Sequence, residues 1–105
     1  MAKAVPADRM QIYVFVPFHS RPGMEGRFEE ALREVVAATR AEEGRLKIQA
    51  FRSVCDRQVF YIHSHWKDRA AFETHARLPH TVRFVECAAP LLDHEIHAQR
   101  CELME

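Results

Sequence analysis

The run MQIYVFVPF, residues 10–18, is apolar at nearly every position and rich in β-branched and aromatic side chains. That composition suits a strand covered on both faces rather than one with a wet side. A second run, QVFYIHSHW at residues 58–66, sets the same problem. Its pleat puts Phe60, Ile62, Ser64 and Trp66 on one face and Val59, Tyr61, His63 and His65 on the other. A chain with two such strands has to find cover for both sides of its sheet.

The rest of the chain supplies cover for one side. Pro22, Gly23 and Gly26 are turn and helix-start signals, and Met24, Phe28, Leu32, Val35 and Val36 then recur at helical spacing. A helix is expected from about residue 23 to 41, ending near Gly44 as its left-handed residue. RLKIQAFRSV, residues 45–54, alternates Leu46, Ile48 and Ala50 against Lys47, Gln49 and Phe51, and Cys55-Asp56-Arg57 is short enough for a hairpin turn. Asp68 suits a helix N-cap, and Ala71, Phe72, His75 and Ala76 share one face of a helix that stops before Pro79. Pro79 opens another helix, with Val82, Val85, Ala89 and Leu92 on one face and Pro90 disturbing the last turn. HEIHAQRCEL, residues 94–103, reads as a final strand.

Strand, helix, strand, strand, helices, strand is the order of the split βαβ unit of ferredoxin-like α+β folds. It implies a four-stranded antiparallel sheet with helices on one face. The other face would expose a large apolar patch, so the economical arrangement is a homodimer in which two sheets meet, a dimeric α+β barrel. At 105 residues the chain is expected to be one domain, with residues 1–8 disordered.

Fifteen Lys plus Arg balance fifteen Asp plus Glu, interspersed without a basic stripe, so nucleic acid is not an expected partner. The opening MAKAVPADRM has no apolar core for a signal peptide, and no later stretch reaches the apolar length of a bilayer span. The expected location is the cytoplasm, without a membrane partner. Three cysteines, Cys55, Cys87 and Cys101, form no CxxC pair and suit a reducing compartment better than a disulfide framework.

The segments RPGMEGRFEEALREVVAATRAEEGRLKIQAFRSV, VFYIHSHWKDRAAFETHARLPHTVRF and PLLDHEIHAQRCEL resemble the antibiotic biosynthesis monooxygenase family of small dimeric α+β barrels, which includes quinol monooxygenases. The resemblance covers about residues 10–103 and rests on Pro22-Gly23, Glu43-Gly44, Trp66-Lys67-Asp68, Phe72 with His75, and Pro79-His80 with Phe84. It implies oxygenation of a small electron-rich aromatic, a hydroquinone or polyketide phenol, by molecular oxygen with neither flavin nor metal. Such chemistry needs a base for the phenolic proton, an apolar pocket, and a donor for the oxygenated intermediate. One departure is Ser64, where many members carry Glu two residues before the tryptophan; it removes a carboxylate partner from that position.

With the resemblance in hand, His75 is the candidate base and Trp66 the candidate wall beside a flat ring, with Ser64, Phe72, His80 and Phe84 around the substrate. Two readings are open at His75, a base or a core-edge histidine bonded to a carbonyl. Trp66 is expected to pack in the core in either case. His80 follows Pro79 at a helix start, where the dipole favours its neutral form. Arg52 and Arg83 could meet an acidic substituent or form surface ion pairs. His63 and His65 share a strand face and could hold a metal if His94, Glu95 or His97 ran alongside, whereas bonds across strands account for them without one. Related barrels use a histidine, an asparagine and a tryptophan on haem; Trp66 with His75 or His80 matches in part, and the chain contains no asparagine. Haem binding therefore stays open as an alternative, as does a noncatalytic dimeric module for a small ligand.

Overall fold

A computed structural model describes residues 9–105; the expected disorder of residues 1–8 lies outside the described residues. Four strands, β1 (Ile12–His19), β2 (Arg45–Arg52), β3 (Val59–Trp66) and β4 (Gln99–Cys101), form one sheet in the order β2-β3-β1-β4. All three pairings are antiparallel. Three helices, α1 (Glu25–Thr39), α2 (Arg69–Arg77) and α3 (Pro79–Ala88), complete an α+β, ferredoxin-like fold.

The apolar strands β1 and β3 are neighbours, with Val14 opposite Ser64, Val16 opposite Ile62 and Phe18 opposite Phe60. These side chains, with Ile48 and Trp66, are buried against Phe28, Leu32, Val35 and Val36 of α1 and Phe72 and Phe84 of α2 and α3. Phe28 meets Phe18 and Phe60 at centroid distances of 5.0 Å each, so three rings knit α1 to the sheet. The other face bears Tyr13, Phe15, Phe51, Tyr61, His63 and His65. Phe15, Phe51 and Tyr61 there remain nearly half exposed. Tyr13 stacks on His65 at 4.0 Å and Phe15 on His63 at 4.7 Å.

Local chemistry sets the joints. Asp68 caps α2 by accepting from the Ala71 N–H at 2.8 Å, and Pro79 begins α3 where its missing N–H is not needed. Gly44 has φ of +82°, but a turn of residues 40–43 separates it from α1, so it redirects the chain into β2 instead of ending the helix. Arg45 Nη2 donates to the Arg40 carbonyl at 2.6 Å across that turn.

Three expectations change. The final strand is three residues long, not ten, because the Asp93 N–H donates to the His19 carbonyl at 3.1 Å and His19 Nδ1 bonds the Asp93 carboxylate. That anchor sends the following segment over the helices' side of the sheet before β4 pairs with β1. In α3 the buried face is Phe84 and Ala88; Val82 and Val85 are 42% and 43% exposed, because the larger Phe84 ring fits against Phe18 and Phe28. Leu46 turns outward where a register shift between Arg45 and Lys47 breaks the alternation of β2.

Candidate active site

A cavity of about 200 Å³ lies between the inner face of the sheet and the helices of the same chain. Val14, Val16, Ile62, Val35, Phe72 and Phe84 make most of its wall apolar, and Ile96 and Ala98, just before β4, add to its rim. Only four lining residues are polar: Thr39, Ser64, His75 and Thr81. Thr39 spends its hydroxyl proton on the Val35 carbonyl, at 2.6 Å.

His75 stands in the last turn of α2, its side chain 13% exposed. Its Nδ1–H donates to Glu42 Oε2 at 2.8 Å and lies 3.3 Å from Thr81 Oγ1. His80, in the first turn of α3, donates from Nε2 to the same carboxylate oxygen at 2.6 Å. A carboxylate beside the start of α3 is well placed against the helix dipole. With Nδ1 engaged as donor, the neutral form of the His75 ring has its lone pair on Nε2, which has no hydrogen-bond partner among the described residues. This is how a carboxylate orients an imidazole for use as a base.

Trp66 is fully buried and stands behind His75, ring centroids 4.6 Å apart. It packs there and against Phe72 and does not line the cavity. Its indole N–H donates to Ser64 Oγ at 2.9 Å. Ser64 itself faces the cavity, and its hydroxyl proton finds no acceptor among the described residues, so it is free to donate to a ligand.

The structure thus gathers Ser64, Phe72, His75 and Phe84 at one cavity and puts Trp66 behind it. His80 joins through Glu42 and borders a smaller groove with Arg83 and Cys87. Arg52 does not join: it is paired with Glu29 at 3.1 Å, lies 4.9 Å over the Phe60 ring, and donates to the Arg57 carbonyl, away from the cavity. Sequence reasoning missed Glu42. It sits in the turn after α1, 33 residues before His75, and its only signal was the pair Glu42-Glu43 ahead of a glycine, which does not say which carboxylate turns inward. Glu42 brings to the site a carboxylate that Ser64 does not.

The metal idea at His63 and His65 finds no third ligand among the described residues. β4 pairs with β1, not β3, His94 Nδ1 bonds the Glu95 carbonyl, and both strand histidines are stacked on aromatic rings. The cavity is smaller than the roughly 300–1,000 Å³ of typical organic-ligand sites. Trp66 lies behind His75, with no exposed surface on the cavity side.

A ferredoxin-like sheet with an apolar intrachain cavity and a carboxylate-oriented histidine defines a class of small α+β proteins with a pocket between sheet and helices. Residues 11–86 match the sequence pattern of the family described as "Antibiotic biosynthesis monooxygenase", and the chain belongs to that family. It is 30% identical over 96 residues to the Bacillus subtilis (strain 168) protein named "Putative monooxygenase YcnE", covering 91% of this chain and 97% of that one. Among solved structures it is similar to PA3566 from Pseudomonas aeruginosa, with a TM-score of 0.85 and 26% identity over 93% of this chain and 98% of that one. Rv0793 from Mycobacterium tuberculosis shares the fold with a TM-score of 0.85 at 20% identity, over 90% and 96% of the two chains.

Proposed function

We propose that this protein is a cofactor-independent monooxygenase that oxidises a quinol-like aromatic with molecular oxygen. The observation that carries the reading is His75 lining an apolar cavity with Nδ1 held by Glu42 and Nε2 unpartnered. In this reaction Nε2 takes a phenolic proton, and the electron-rich phenolate reacts with oxygen inside the apolar walls. One oxygen atom joins the ring and the other leaves as water; a hydroquinone plus O₂ becomes a hydroxyquinone plus H₂O. Ser64 donates to a substrate oxygen, and Trp66 keeps the His75 ring in place. The small cavity favours a single ring over a fused polyketide.

The reading includes a homodimer, supported by the exposed aromatic face of Phe15, Phe51 and Tyr61. It also places the enzyme in the cytoplasm, supported by three free, exposed cysteines. No helix among the described residues is long and apolar enough to cross a membrane. Oxygen uptake with a panel of substituted hydroquinones tests the activity, with the hydroxyquinone identified by mass. Ligand binding without oxygen uptake would favour a noncatalytic module, and uptake undiminished in His75→Ala would remove His75 as base.

A further inference from the structure

Glu42, His75 and His80 converge so that their donor atoms all lie within 4.8 Å of one another. We infer that Glu42 Oε2, His75 Nδ1 and His80 Nε2 form a binding site for a divalent transition-metal ion of the zinc type, and that a bound ion switches His75 off as a base.

Two imidazole nitrogens and one carboxylate oxygen are a donor set zinc accepts, with a fourth position left for water. The three side chains are 10%, 13% and 24% exposed, sheltered enough to hold an ion and open enough to admit one. The present separations of 2.8 Å and 2.6 Å are hydrogen-bond distances. Around an ion with bonds of about 2.0–2.1 Å in tetrahedral geometry, neighbouring donors stand roughly 3.3 Å apart. Opening by that amount falls to Glu42, on a turn, and His80, in the first turn of α3, while Trp66 holds the His75 ring. Thr81 Oγ1, 3.3 Å from His75 Nδ1, adds a hydroxyl beside the three donors.

Coordination at His75 Nδ1 moves the ring proton to Nε2. The nitrogen that would take a phenolic proton then becomes an N–H donor, so the ion silences the base from outside the cavity. At His80 the proton moves likewise from Nε2 to Nδ1, and neither neutral ring gains or loses a proton overall. The silencing rests on the proposed role of His75; the binding does not.

The test is titration of the full chain near pH 7.5 with Co²⁺, read by visible absorption, and with Zn²⁺, read by calorimetry. One ion per chain is expected. Glu42→Gln and His80→Gln should each weaken it about tenfold or more, since even losing a group that only orients a ligand costs that much. A His63→Ala/His65→Ala double variant should bind as the wild type does, and circular dichroism checks that every variant is folded. No stoichiometric ion, equal affinity in Glu42→Gln and His80→Gln, or loss in the double variant would overturn the site. Oxygen uptake that continues undiminished at saturating Zn²⁺ would overturn the silencing. If no quinol is turned over at all, the proposed activity fails while the titrations still decide the site.

Discussion

The Trp66 indole lies 4.6 Å from the His75 imidazole, the planes inclined by 36°, and the same indole donates its N–H to Ser64. One buried ring therefore positions two polar groups of the cavity wall. In Trp66→Phe the Ser64 oxygen loses its donor and a void opens behind His75. A loss of about 1–3 kcal/mol is expected in urea unfolding. With a turned-over quinol, kcat should fall more than KM rises, because the ring lost is a support and not a contact.

Glu42→Gln separates orientation from bulk. The amide can still accept from His75 and His80, but it no longer stabilises an imidazolium formed when His75 takes a proton. A fall in kcat of about 10²-fold or more is expected, within the range general bases contribute. Thermal unfolding should change little. A variant with full turnover would leave Glu42 a structural tie only.

What was legible in the sequence follows from how local each determinant is. The alternation of β3, the Asp68 cap and the Pro79 start depend on residues within a few positions, and each stands where its pattern puts it. The short β4 was not legible, because its length is set by His19 and Asp93, 74 positions apart. The face of α3 misled because two apolar stripes compete on one short helix, and only the aromatic pocket of Phe18 and Phe28 selects Phe84. Of the cavity wall, Ser64, Phe72, His75 and Phe84 are singled out by periodicity and resemblance. Glu42 was hidden because an acid in a polar turn looks solvated until α2 is folded beside it.

His65 makes stability depend on pH. Its pKa is lowered from the ordinary 6.5 first by desolvation, then by the charges of His63 and Lys47. The folded state therefore resists the proton that the unfolded chain accepts, and stability falls as pH drops below about 6.5 toward the lower folded value. Thermal melts at pH 8 and pH 5.5 should show this loss, and it should shrink in His65→Gln.

Phe15 tests the second copy. Phe15→Lys places a charge at the centre of the exposed aromatic face, opposite His63. Light scattering should give twice the 12.2 kDa chain mass for the wild type and a shift toward the single-chain mass in the variant. Equal masses would remove this face as the contact.

Gly44→Ala should be poorly tolerated. A Cβ there would stand 2.8 Å from Ala71 Cβ, and the φ of +82° disfavours any L side chain. Backbone strain of this kind contributes about 1–3 kcal/mol. Because the same turn carries Glu42, the His75–Glu42 bond should loosen too, read as a change in the His75 ring signals by NMR.

The cavity wall and the Glu42–His75–His80 group draw on different parts of the chain. Val14, Val16 and Ile62 shape the space and have no polar partner to lose, whereas the hydrogen-bonded atoms of the group sit on a turn and two helix ends. In the proposed reaction, selectivity and reactivity can accordingly diverge: exchanging an aliphatic side chain on the sheet would redraw which molecule enters while leaving the Glu42–His75–His80 group in place.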